Sequence, residues 1–306
     1  MTNKHGFWTK NFSLLFLSNA LLFMVYNMQV PVLPLYGVKI GLSASEIGLF
    51  VGAIMFSSLI IRVFAGQLAS HFSKKALILL GVALYLFTTL GYFVVSGLML
   101  LVLLRLINGI GHGLATTYFA TTAADELPLE DLGKGMGYFG VGSMLTASLA
   151  PVLALNIAQK IGYSVFWEFC ALILLISFIL IVLTDKAKNS IINKDAIKLS
   201  VTDIFDATLL QPNILVFILG LIMSGVMTFT SIYAKQQHLT AIVWFFFAAA
   251  VAGVLIRPFT GKKFDEKGPF SVLIPASFSL LVGILLILYS KSNSMLVLAG
   301  ILYGAA

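Results

Sequence analysis

Nine long, nearly charge-free apolar runs dominate this chain, near residues 12–36, 46–69, 76–96, 98–122, 135–158, 163–184, 213–233, 240–260 and 271–290, with a tenth beginning near 294. A helix needs about 20 predominantly apolar residues to cross the hydrocarbon core of a bilayer. Transmembrane strands would instead show alternating segments of about ten residues and much weaker apolar runs. The pattern therefore predicts an all-α membrane protein. Composition agrees: 59% of the 306 residues are apolar and 10% charged, against about 25% charged in an ordinary soluble domain.

The first run follows Lys4 and Lys10 but closes in Asn27-Met28-Gln29-Val30-Pro31 with no small-residue cleavage site, so it is expected to stay as the first helix. Cys170 is the single cysteine, which leaves no intrachain disulfide and no thiolate metal cluster. Assigning the loops to alternate sides puts Lys4, Lys10, Lys74, Lys75, Lys134, Lys186, Lys188, Lys194, Lys198, Lys262, Lys263 and Lys267 on one side. Lys39, Lys160, Lys235 and Lys291 fall on the other. Basic loops stay cytoplasmic, so the N-terminus is expected in the cytoplasm of a plasma-membrane protein. The net charge of +7 is then topological and implies no nucleic-acid partner.

The longest polar stretch lies between Asp185 and Gln211 and separates six spans from the rest. The expected organisation is a bundle over 1–184, a cytoplasmic linker over 185–212 and a second, incomplete bundle over 213–306. An internal repeat supports two related halves: Arg62-Val63-Phe64-Ala65-Gly66 aligns with Arg257-Pro258-Phe259-Thr260-Gly261 at an offset of 195, which also pairs Phe50 with Phe245 and Ala53 with Ala248. Two six-helix halves need twelve spans, so the chain is expected to be a fragment with its second bundle truncated.

The segment after span two, Gly66-Gln67-Leu68-Ala69-Ser70-His71-Phe72-Ser73-Lys74-Lys75, resembles the gating loop of the major facilitator superfamily, and more narrowly of its twelve-helix drug and metabolite efflux branch. The family pattern carries Asp where Ser70 stands. A second copy, with Arg257, Gly261 and Asp265, follows span eight. The resemblance implies that Arg62, Gly66, Ser70, Lys74, Lys75 and their counterparts gate the cytoplasmic side, the glycines turning the chain and the basic pair holding it at the surface.

Span four carries Arg105-Leu106-Ile107-Asn108-Gly109-Ile110-Gly111, similar to the family's arginine motif associated with proton transfer. At 100° per residue Arg105, Asn108, His112 and Thr116 share one narrow face. An arginine at this depth needs a polar interior, so the stripe is expected to line the substrate and proton pathway. Asn19, Tyr26 and Gln29 form an uncharged polar sector on span one. In span five Gly137 and Pro151 resemble the efflux branch's antiporter motif and imply a bent helix. Asp125, before Pro128, and Glu168 in span six are secondary candidates for protonation.

The resemblance implies a proton-coupled exporter of a small organic molecule working by alternating access, with a proton-linked nutrient importer as the alternative. No acid stands mid-span in spans one, four or five, which favours a neutral, zwitterionic or anionic substrate. His5, His71, His112 and His238 lie on separate segments without metal-ligand spacing, so neither an enzyme, a metal nor a cofactor is expected. The expected partners are the solute, protons and the lipid bilayer, with no required protein partner.

Overall fold

The computed structural model describes residues 8–95, 97–185, 210–268 and 270–306, and they are helical almost throughout. The helices are α1 (Lys10–Lys39), α2 (Ala44–Val63), α3 (Ala65–His71), α4 (Lys74–Gly91), α5 (Leu98–Asp125), α6 (Leu132–Asn156), α7 (Tyr163–Val182), α8 (Leu210–Gln236), α9 (Ile242–Lys267), α10 (Phe270–Leu288) and α11 (Asn293–Gly304). Eight helical segments among the described residues are long and apolar enough to cross a membrane; the stretches 242–256 and 293–304 are shorter and also apolar. Large apolar side chains such as Phe56, Phe87, Met99 and Phe278 stand exposed. An apolar surface of this kind suits lipid rather than water.

Helix boundaries follow local chemistry. Ser43 and Glu46 form a reciprocal capping box at the start of α2, and Ser73 and Ser292 accept from Ala76 and Met295 at the starts of α4 and α11. The turns before α5 and α7 use Gly97 and Gly162 at φ of 101° and 135°, which a side chain would resist.

The chain divides into two compact units. The first takes the described residues of Met1–Tyr26, Leu42–Thr146 and Tyr163–Leu219; the second takes Asn27–Gly41, Ala147–Gly162 and Gly220–Ala306. In the first unit α5 is wedged between α2 and α4. A methyl on Gly109 would overlap the Ile54 carbonyl, one on Gly113 would lie 2.5 Å from Ile61 Cγ2, and one on Gly111 would lie 2.6 Å from the Gly81 carbonyl. Small residues thus let three backbones meet without a side-chain layer between them. Ser18 and Ser177, with hydroxyls 2.7 Å apart, join α1 to α7. In the second unit Tyr303 donates to the Met223 carbonyl, Ser279 to that of Leu302 and Tyr233 to that of Leu288.

Several expectations are corrected. The segment after span two is no open loop: the helix breaks at Phe64 and resumes as α3, with Gly66 inside it and not in a turn. The second copy is likewise helical, since α9 runs through Arg257, Gly261 and Asp265 to Lys267, and the turn falls at Gly268 with φ of 76°. The side chains of Arg257, Gly261 and Asp265 lie outside the described residues, as does most of the expected linker. The helix after the linker starts at Leu210. Pro151 stands buried within α6, which stays helical past it and ends in a π turn over Ile157–Ile161. A methyl on Gly137 would meet nothing; the close approach of α6 to α1 is at Gly142, against Phe16 and Ala20.

Candidate functional site

The glycines that wedge α5 in place also hold its polar face at a fixed register. Arg105 is 2% exposed and donates from Nη1 to Asn108 Oδ1 at 3.3 Å. Asn108, fully buried, donates from Nδ2 to Thr88 Oγ1 on α4 at 2.8 Å. Thr88 in turn gives its hydroxyl proton to the Leu84 or Tyr85 carbonyl, each at 2.9 Å. A guanidinium inside a membrane span is costly unless its donors are met. Here the first link is a neutral amide oxygen of the same helix, one turn along.

One turn further, His112 is 3% exposed and sits among aromatic rings: Tyr26 at 4.8 Å between centroids, Phe23 at 6.0 Å and Tyr85 at 6.2 Å. Neither of its ring nitrogens has a hydrogen-bond partner. Thr116 closes the stripe, donating to the His112 carbonyl at 2.7 Å and accepting from Arg62 Nη2 at 3.0 Å. The four predicted α5 residues therefore do share one face, with Arg62 of the predicted gate and Tyr26 of α1 brought to it. Asn19 is buried in the same unit, whereas Gln29 is buried in the second unit.

Phe23, Tyr85 and Thr88 complete this arrangement and were not singled out from sequence. Thr88-Thr89, a polar pair in an otherwise apolar span with Tyr85 one turn earlier, was the available signal.

Lys74 and Lys75 of the expected gating segment belong to a second cluster, at the other end of α5. Lys74 pairs with Asp125 at 2.5 Å, and Lys75 donates to the Val182 and Thr184 carbonyls at 2.9 and 2.5 Å, at the C-terminal end of α7. Asn11 donates to Glu126 at 3.4 Å and accepts from the Asp185 amide at 3.0 Å. Tyr118 ties α5 to the Ala65 carbonyl where α3 begins. Ser70, where the family has Asp, stays local and bonds to the Gln67 carbonyl and to His71 Nδ1. Glu168 lies exposed on α7. In the second unit a cleft of about 580 Å³ opens between α9 and α11, lined by Thr240, Trp244, Asn293, Val297 and Ile301. Among the described residues no group of His, Cys, Asp and Glu is arranged to hold a metal.

Several known proteins resemble this chain in sequence or fold. The quinolone resistance protein NorA of Staphylococcus aureus (strain MSSA476) is 27% identical over 232 residues, 74% of this chain, and the chain spans 59% of its length. An uncharacterized MFS-type transporter of Methanocaldococcus jannaschii is 24% identical over 278 residues, covering 87% of this chain and 71% of that protein. Among solved structures, a mutant of the nucleoside transporter NupG superposes with a TM-score of 0.78 at 14% identity, over 96% of this chain and 79% of that one. A bacterial homologue of the lysosomal transporter Spinster gives 0.73 at 17% identity, over 99% and 74%. The sequence profile of the Major Facilitator Superfamily matches residues 15–306, and the chain belongs to that family.

Proposed function

We propose that this protein is a secondary active transporter, not an enzyme, which exports a small organic solute across the plasma membrane in exchange for protons. The observation that carries this reading is the buried stripe on α5, where Arg105 and His112 lie within a membrane-spanning helix beside Asn108, Thr116 and Tyr26. Ionisable groups at such depth are expensive in lipid and mark solute or proton pathways. Similarity to NorA, named for quinolone resistance, supports export.

In this reading two six-helix halves, the first over 1–184 and the second beginning after the linker, rock about a midplane site. The N-terminus is cytoplasmic, as the lysine asymmetry supports. Arg105 attracts the electron-rich part of the solute, and His112 carries the proton. The arginine and the lack of mid-span acids in spans one, four and five support a neutral, zwitterionic or anionic solute. Arg62, the Lys74–Asp125 pair and Tyr118 hold the cytoplasmic end of α5 against the segment around α3.

The test uses the full-length protein in proteoliposomes under an imposed pH gradient, with a fluorescent quinolone as probe. Gradient-dependent movement opposite to the proton flow, lost in Arg105→Ala, is the expected result. Movement in the same direction as the protons would make the protein an importer, and no gradient dependence would remove the proton coupling.

A further inference from the structure

We propose that Thr88, on α4, is a positioning residue for Arg105 and acts through Asn108. The inference deepens the transport reading and rests on it for its functional consequence. Thr88 is fully buried, and its hydroxyl proton is committed to the Leu84 or Tyr85 carbonyl. Its oxygen can then only accept, so the group Asn108 turns toward it must be the amide NH2. That fixes which way the Asn108 carboxamide faces and presents its oxygen to Arg105 Nη1. A neutral side chain on the neighbouring helix thereby sets where a buried guanidinium points.

The backbone makes this linkage rigid. Gly81 and Gly111 meet so closely that a methyl on Gly81 would lie 2.7 Å from the Gly111 carbonyl, so α4 and α5 pack backbone to backbone, with no gap to take up a shift of either helix toward the other. Thr88 lies two turns from Gly81 on the same helix, and Tyr85, one turn before Thr88, packs at the His112 ring. Helix α4 therefore supplies the support for both ionisable groups of the α5 stripe.

The chemistry distinguishes the two nearest substitutions. Thr88→Ser keeps the hydroxyl and its back-bond, whereas Thr88→Val keeps the shape and removes the acceptor, leaving the Asn108 amide unmet in an apolar setting. Arg105 would then lose the fixed acceptor that Asn108 presents to its Nη1.

The test is arginine-selective labelling with phenylglyoxal, read at Arg105 by peptide mass spectrometry on the full-length protein in proteoliposomes, with quinolone transport measured in parallel. In Thr88→Val, Arg105 should label several-fold faster and the KM for the quinolone should rise about tenfold, as loss of one buried hydrogen bond would produce. Thr88→Ser should behave as wild type in both. Asn108→Leu, which removes the middle link with Thr88 intact, should reproduce the Val phenotype, and the double variant should be no worse than either single one. Equal labelling and equal KM in Thr88→Val and wild type, or additive effects in the double variant, would overturn the proposal. If the wild type moves no quinolone, the transport reading fails while the labelling still decides whether Thr88 positions Arg105.

Discussion

Gly109 of α5 lies against the backbone carbonyl of Ile54 on α2, with no room between them for a methyl group. Gly304 of α11 lies in the same way against the carbonyl of Ala249 on α9. Both residues of the second pair stand 195 positions after their counterparts, the offset that aligns the two arginine-bearing segments in sequence. The repeat is therefore also a repeat of packing, in which a glycine at the equivalent position of each half lets two helices cross backbone to backbone. At the same offset Gly300 stands where the first half has Arg105. The frame is shared by both halves, and at this position the first carries an arginine and the second a glycine.

Gly109→Ala and Gly304→Ala should each destabilise the protein, since the obstacle is main chain and cannot rotate away. Overpacking of this kind costs about 1–3 kcal/mol. Gly137→Ala, where the added methyl meets nothing, should stay within about 0.5 kcal/mol of wild type. Thermal unfolding in detergent measures all three. A Gly109→Ala protein melting with wild type would mean that α2 and α5 separate more easily than their contact implies.

The spans were legible because twenty-residue apolar runs have few alternative uses, and the α5 stripe because Arg105, Asn108, His112 and Thr116 recur at helical spacing. What escaped was decided across helices. Thr88 reads as an ordinary polar residue of an apolar span until α4 is set against α5, since its partner Asn108 is 20 residues away. The charged segment from Lys262 to Lys267 read as a loop because lysines and acids mark both loops and exposed helix ends, and composition does not separate the two. Gly66 suggested a turn, but the break is at Phe64 and a glycine can equally sit inside a helix.

Lys74 and Lys75 are adjacent, yet their surroundings predict unequal effects. Lys74 makes one ion pair with Asp125, whose side chain is 33% exposed, and such pairs contribute about 0–1 kcal/mol. Lys75 donates to two carbonyls at the end of α7, where a cation meets both the unpaired acceptors and the helix dipole. Lys75→Met should therefore lower stability by about 1–2 kcal/mol, and Lys74→Met by less. Paired melting curves of the two variants give the answer, and the reverse order would contradict it.

In the second unit, Asn293 accepts from the Thr240 and Ala241 amides at 3.0 and 3.1 Å and so caps the start of α9 from the first residue of α11. Loss of a cap costs about 1 kcal/mol, which is the destabilisation expected for Asn293→Leu. Asn293→Asp should be tolerated, because a carboxylate still accepts both amides and its charge suits a helix N-terminus. Hydrogen exchange at the first turn of α9 should rise in the Leu variant and stay low in the Asp variant.

His112 allows fold and function to be separated within one residue. Its neighbours Tyr26, Phe23 and Tyr85 are aromatic, and both of its nitrogens are buried without partners, a condition that costs about 1–3 kcal/mol for each unmet group. Phenylalanine has a similar ring and no polar atoms, so His112→Phe should fold with stability equal to or above that of wild type. If His112 carries the proton, the same variant should lose gradient-driven quinolone efflux while still exchanging quinolone for quinolone at equal pH, a movement that needs solute binding but no net proton transfer. A His112→Phe protein that is stable and still driven by the pH gradient would place the proton site elsewhere in the protein.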